Sequence, residues 1–442
     1  MTRIEGVSMI DESTWGFETK QIHAGATPDP ATKSRATPIY QTTAYTFDSV
    51  EHARKLFALQ EPGNIYTRIM NPTQAVAEAR ITALAGGTGT LLVASGQTAT
   101  TFAVLNIVQA GDHIVSSSSV YGGTYNLFRH TLARLGIDVT FVEDQDDVEQ
   151  WRTAIRPNTK LFFAETIGNP RINVLDIRLI AGIAHTAGLP LIVDNTIATP
   201  YLIRPLEHGA DIVVHSATKF LSGHGTIIAG AIVDGGRFPW SQHADRFPGL
   251  SQPDLSYHGL SYTADLGDQV AYITKARVQL LRDIGAAVAP DNAWLLIQGI
   301  ETLNVRMDRH VRNAQAIATW LEARDEVTTV NYAALQSSPW HGAAETYAPK
   351  GVGAVLSFEL VGGIPAGRAL VENVALFSHL ANIGDVRSLI IHPASTTHLQ
   401  LTPEEQLTAG VTPGLVRLSV GIEHVDDLIA DLEAGLAATY AR

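Results

Sequence analysis

The chain has 442 residues, 45% of them hydrophobic, which is enough for a large core and for two domains. Its 31 basic and 44 acidic residues leave a net charge of −13 with no run of Lys or Arg, which sets nucleic-acid binding aside. Cysteine is absent, so disulfides, thiolate metal sites and cysteine nucleophiles are excluded, and no metal site is expected.

Residues 1–70 show little periodicity and several turn signals. They read as an arm that can pack on a neighbouring subunit. Met1 to Thr19 is polar and acidic, without the basic start and apolar run of a signal peptide, so a cytoplasmic location is expected. From about Thr90, short β-branched runs alternate with amphipathic stretches. The candidate strands are Thr90–Ala94, His113–Ser116, Asp138–Val142, Leu161–Glu165, Leu191–Asp194, Ile212–His215 and Thr226–Val233. The most apolar stretch, Thr90 to Ala110, is broken by Ser95, Gly96, Gln97, Thr98 and Asn106; it reads as strand, turn and buried helix, not as a membrane span. Asp176 to Gly188 reads as a helix, with Asp176 as cap, Ile177, Ile180 and Ile183 on one face, and Gly188 ending it. This alternation predicts an α/β domain over 71–300, a mostly parallel seven-stranded sheet between helices. Near Asp291 the pattern changes. A helix over Thr302 to about Arg324, strands Ala354–Leu360 and Val416–Val420, and a helix Val425–Leu436 predict a smaller α+β domain over 301–442.

Asp194 and Lys219 follow successive apolar runs, which places both at the carboxyl edge of the sheet, where ligands bind. A carboxylate and a lysine there suit pyridoxal 5'-phosphate (PLP): the lysine forms the imine and the carboxylate keeps the pyridine nitrogen protonated. A buried Asp–Lys salt bridge fits the two residues equally well. Ser95-Gly96-Gln97-Thr98 joins a strand to a helix, and its free N–H groups suit a phosphate. An ordinary capped turn has the same pattern. Ser216 and Thr218 can add hydroxyl donors to that phosphate. Arg68, beside Tyr66 in the arm, suits bidentate phosphate binding, or is a surface arginine. Tyr121 can cover a flat cofactor, or sits at the edge of the core. Glu165 and Asn169 end a further strand and can bind ring substituents or shape a turn. Arg417 interrupts an apolar strand, and a buried arginine needs an anion: a substrate carboxylate, or an internal Asp or Glu.

Taken together, His215-Ser216-Ala217-Thr218-Lys219-Phe220, Tyr66-Thr67-Arg68, Ser95-Gly96-Gln97 and His392-Pro393-Ala394-Ser395-Thr396-Thr397-His398 resemble the PLP-dependent enzymes of cysteine and methionine metabolism. The resemblance runs from Ile22-His23-Ala24-Gly25 to Gly421-Ile422-Glu423. It implies the PLP-dependent transferase fold of the aspartate aminotransferase type. It implies PLP as cofactor, with Lys219 as imine-forming lysine and proton carrier and Asp194 on the pyridine nitrogen. Gly96, Gln97, Ser216 and Thr218 would hold the phosphate, and Tyr66 and Arg68 would reach it from a partner subunit. The active unit would then be at least a dimer, with a tetramer as a dimer of catalytic dimers. Tyr121 would stack on the ring and take part in catalysis, and Asn169 would lie near the ring hydroxyl. Arg417 would bind the substrate carboxylate, with Asn382, Tyr66, Ser395 and Thr397 on the substrate side. The Gln252–Gly259 insertion and Asn382-Ile383-Gly384-Asp385 resemble the branch acting on O-acetyl-L-homoserine. That branch implies γ-replacement of acetate by sulfide or methanethiol, giving homocysteine or methionine. Cystathionine γ-synthase and γ-lyase chemistry are the alternatives within the family.

Overall fold

The computed structural model describes residues 14–399, 402–408 and 410–441, so the first 13 residues of the expected arm lie outside it. Seven strands form one sheet: β1 (Gly89–Val93), β2 (His113–Ser117), β3 (Asp138–Val142), β4 (Thr159–Glu165), β5 (Leu191–Asp194), β6 (Ile212–His215) and β7 (Gly230–Asp234). Their order is β1-β7-β6-β5-β4-β2-β3; β7 runs antiparallel to both neighbours and the remaining pairs are parallel. The expected strand Thr226–Val233 begins late, at Gly230. The preceding residues are held as a loop, because the Thr218 hydroxyl donates to the Ala229 carbonyl and accepts from its N–H.

The apolar runs are explained by burial on both faces. Leu91, Val93, Leu161, Phe163, Ile192 and Val214 enter one core. Their neighbours Leu92, Phe162, Ala164, Val193 and Val213 enter the other. Successive side chains of a strand point to opposite faces, so a strand covered on both sides must be apolar throughout.

The arm contains two short helices that its sequence did not announce, α1 (Phe17–His23) and α2 (Val50–Phe57). Ser49 caps α2 by accepting the His52 N–H at 3.0 Å. Helix α3 (Pro72–Ala85) precedes β1, and α4 (Gly96–Leu105) follows it. Helix α5 (Ile177–Thr186) starts as expected, with Asp176 accepting the Leu179 N–H at 3.1 Å.

A second sheet joins β8 (Val327–Asn331), β9 (Val355–Leu360), β10 (Ser378–His379), β11 (Leu389–Ile391) and β12 (Leu415–Ser419) in the order β10-β11-β12-β9-β8. Helix α6 (Leu303–Glu322) and helix α7 (Val425–Thr439) flank it. One core is continuous from the large sheet to this one, through Leu356, Phe358, Val416, Leu418, Leu428 and Leu432. Among the described residues no helix is long and apolar enough to cross a membrane.

Candidate active site

The carboxyl ends of β4, β5 and β6 lie side by side, and the amino end of α4 opens on the same edge. β12 of the smaller sheet faces them, since the Arg417 guanidinium donates to Asn169 Oδ1 at 3.4 Å. Between these elements lies a cavity of about 290 Å³. It gathers Gly96, Gln97, Tyr121, Asn169, Asp194, Ser216, Thr218, Lys219, Asn382, Thr397 and Arg417 from the sequence reading. Ser395 is half-buried but does not line it. Tyr66 and Arg68 lie elsewhere, with the guanidinium carbon 5.3 Å from the phenol ring, and Tyr66 is exposed. A larger cavity of about 540 Å³ lies apart from this one. The ammonium of its Lys275 donates to the Asn106 carbonyl at 2.7 Å, which caps the carboxyl end of α4.

The loop after β1 is tight. Ser95 accepts the Thr98 N–H at 3.1 Å and so caps α4. A Cβ on Gly96 would lie 2.6 Å from Ser216 Cβ, so only glycine lets the two phosphate-loop candidates approach. Gly384 serves a similar purpose on the other side. Its φ is +78°, and a Cβ there would stand 2.6 Å from the Phe220 nitrogen and 2.9 Å from the Lys219 carbonyl carbon.

Lys219 and Asp194 do not form the salt bridge that the sequence left open. The Lys219 ammonium donates to Asn382 Oδ1 at 2.5 Å. Burial pushes its pKa down to about 8, with Arg417 adding to the effect. Asp194 Oδ1 accepts from Thr196, from its N–H at 2.9 Å and its hydroxyl at 2.5 Å. Burial nevertheless pushes that carboxyl up to about 6. Among the described residues, Arg417 finds no internal carboxylate either. It donates to Asn169 and to the Asn382 carbonyl at 3.1 Å, and its Nε is buried without a partner. Burial lowers its pKa to about 10.

These residues fit PLP. Among the described residues, the cavity holds two cations with no carboxylate bonded to them, the carboxylates Asp194 and Glu165 with no cation bonded to them, and a glycine-lined turn at a helix start. Thr196 was missed by sequence reasoning. The signal was there, since Asp194-Asn195-Thr196 is the spacing at which a carboxylate accepts from the backbone two residues on.

The Cys/Met metabolism PLP-dependent enzyme model matches residues 18–437. The O-acetyl-L-homoserine sulfhydrylase of Leptospira meyeri is 52% identical over 427 residues, covering 95% of this chain and 96% of its own. The homocysteine synthase of Schizosaccharomyces pombe is 51% identical, covering 95% of this chain and 98% of its own. A Campylobacter jejuni crystal structure, described as an O-acetylhomoserine (thiol)-lyase carrying N'-pyridoxyl-lysine-5'-monophosphate, superposes with a TM-score of 0.92 at 41% identity, over 96% of this chain and 100% of that one. With the match spanning both sheets and the whole cavity, the chain belongs to the Cys/Met metabolism PLP-dependent enzyme family.

Proposed function

We propose that this enzyme replaces the acetate of O-acetyl-L-homoserine with sulfide, giving L-homocysteine. Methanethiol in place of sulfide gives methionine. One observation carries the reading: a single cavity joins an unpaired, pKa-depressed Lys219 to an unpaired Arg417 through Asn382. An amine and a carboxylate-binding cation held at that spacing suit an α-amino acid. The names of the similar proteins support the substrate.

PLP, when bound here, supplies an electron sink for charge developing beside the substrate nitrogen. The amino end of α4 and the Ser216 hydroxyl would hold its phosphate. Asp194, held by Thr196, would serve the pyridine nitrogen as an anion. Tyr121 would cover the ring, and Asn169 would serve the ring hydroxyl. Arg417 takes the substrate α-carboxylate bidentately, which ends its desolvated isolation. Lys219 then accepts the α-proton, passes it on, and accepts a proton from the β-carbon. Burial makes this feasible, because a lysine near 8 is partly neutral at physiological pH. The electron pair left at the β-carbon expels acetate, which leaves the γ-carbon with its bonding electrons; hydrosulfide forms the new carbon–sulfur bond at the γ-carbon of the resulting double bond, and the β- and α-carbons take their protons back through Lys219.

We further infer a homo-oligomer, with a dimer as the smallest active unit. Tyr66 and Arg68 are too far from their own cavity to line it, and their exposure suits a phosphate in a partner.

The test is a product-resolved assay. Acetyl- and succinyl-homoserine are each offered with sulfide, methanethiol and cysteine. Homocysteine from the acetyl ester and sulfide is the expected main product. Cystathionine as the main product, or 2-oxobutyrate without any thiol, would refute the reading.

A further inference from the structure

Glu165 ends β4 as Asp194 ends β5, and the two are direct Cα partners in the parallel ladder. Both line the cavity, and Glu165 is 6% exposed. Two neighbouring carboxylates in one cavity, Glu165 buried and Asp194 half-buried, do not both ionise readily, because each raises the cost of charging the other. We propose that Glu165 is a positioning residue that carries the single proton of this pair and so leaves Asp194 as the anion for the pyridine nitrogen.

Donor supply decides which member keeps the proton. Asp194 Oδ1 accepts two hydrogen bonds from Thr196. Glu165 accepts one, from the Tyr121 N–H to Oε1 at 2.6 Å, and among the described residues its Oε2 accepts none. Hydrogen bonds to the charged form favour ionisation, so the better-supplied Asp194 ionises first. Burial and the neighbouring Asp194 both drive the Glu165 carboxyl well above the usual carboxylate range. The other charged or titratable groups lining the cavity are Lys219, Arg417 and Tyr121.

A protonated Glu165 does two things. It withholds a second negative charge from the ring-binding end of the cavity. Its Oε1 also fixes the backbone of Tyr121, which sets the position of the ring that covers the cofactor.

The inference rests on the role of Asp194 given above, and the test separates the two. Glu165→Gln copies the neutral acid in shape. Infrared difference spectra at neutral pH should show a protonated-carboxyl band in the wild type that E165Q lacks. PLP affinity of the apoprotein should stay within about threefold in E165Q. It should fall about tenfold in Glu165→Ala, which loses the Tyr121 acceptor. Apoprotein stability gives a third readout. Native Glu165 holds its proton above the pH where the unfolded residue releases it, so the native state binds more protons and stability falls as pH rises past about 4.3. The melting temperature of E165Q should therefore decline less than that of the wild type between pH 5 and 8. An unchanged carboxyl band in E165Q, or a tenfold loss of PLP affinity in E165Q, would overturn the inference. Asp194→Asn is the independent control. A PLP affinity unchanged in D194N would sink the pyridine role of Asp194, whatever the infrared result.

Discussion

Arg417→Met should make the substrate-free protein more stable and the enzyme much worse. Arg417 lies in β12, between β11 and β9, and is 8% exposed. Its two hydrogen bonds go to amide oxygens, one of them at 3.4 Å, and its Nε has no partner. Losing the 3.1 Å bond, whose donor is charged, costs about 1.5–3 kcal/mol, and the 3.4 Å bond less. Removing a buried cation that has no counter-ion returns several kcal/mol. The balance favours R417M by about 1 kcal/mol, read as a higher urea midpoint at unchanged slope. The same change removes the proposed partner of the substrate carboxylate. Truncating one side of a buried charge pair costs about 2–5 kcal/mol, equivalent to about 30- to 5,000-fold in KM for O-acetyl-L-homoserine. Urea melts of the apoprotein and steady-state kinetics of the holoenzyme check the two halves. A variant that is less stable and has a KM within about threefold of wild type would refute the argument. Arg417 would then be a structural strut.

Lys219→Ala should lower kcat by more than about a thousandfold and abolish the visible absorbance of the cofactor–lysine linkage, measured on the purified protein. Gly96→Ala places a Cβ 2.6 Å from Ser216 Cβ and 2.9 Å from Ser216 Cα, so one of the two loops must move. The expected result is a loss of about 1–3 kcal/mol in stability and at least about tenfold in PLP affinity, by calorimetry. Mixing inactive Lys219→Ala with inactive Arg68→Ala subunits, after partial unfolding and reassembly, should restore about a quarter of wild-type activity. Half of the dimers are then mixed, and each of those has one intact site. No recovery would place Arg68 outside the partner's cavity.

The large sheet was legible because its strands are buried on both faces, and that leaves continuous apolar runs such as Leu191-Ile192-Val193. The strands that escaped notice lack this signal. β8 is half-exposed Val-Thr-Thr-Val-Asn, β10 has two residues and β11 three. The start of β7 was misplaced because Thr226–Ala229 is β-prone by composition, whereas Thr218 pins Ala229 in a loop. Lys219, Asp194 and Arg417 were legible as polar residues interrupting or ending apolar runs. Their partners were not. The Asn382 amide that holds Lys219 lies 163 residues away, and Asn169 lies 248 residues from Arg417. No local pattern encodes such a contact. The sequence therefore left open whether each charge had an internal partner, and among the described residues none bonds a full opposite charge.

That shared lack of partners couples the two cations. Burial is the main cause of the low Lys219 pKa, and the charge of Arg417 is the second. Lysine reacts with PLP only as the free amine, so apoprotein reconstitution should speed up as pH rises through about 8. In Arg417→Met the second cause is gone, and the reconstitution curve should move to higher pH, toward the ordinary lysine range. A bound carboxylate should act in the same direction by neutralising Arg417, and acetate added to wild-type apoprotein is the simplest probe. Lys219, the proposed base, would thus gain strength when a carboxylate is bound at Arg417, and stay weak otherwise. Stopped-flow absorbance across pH 6.5 to 10 measures all three cases. A curve that does not shift in R417M would mean that burial alone sets the lysine, and that Arg417 binds substrate without tuning the base.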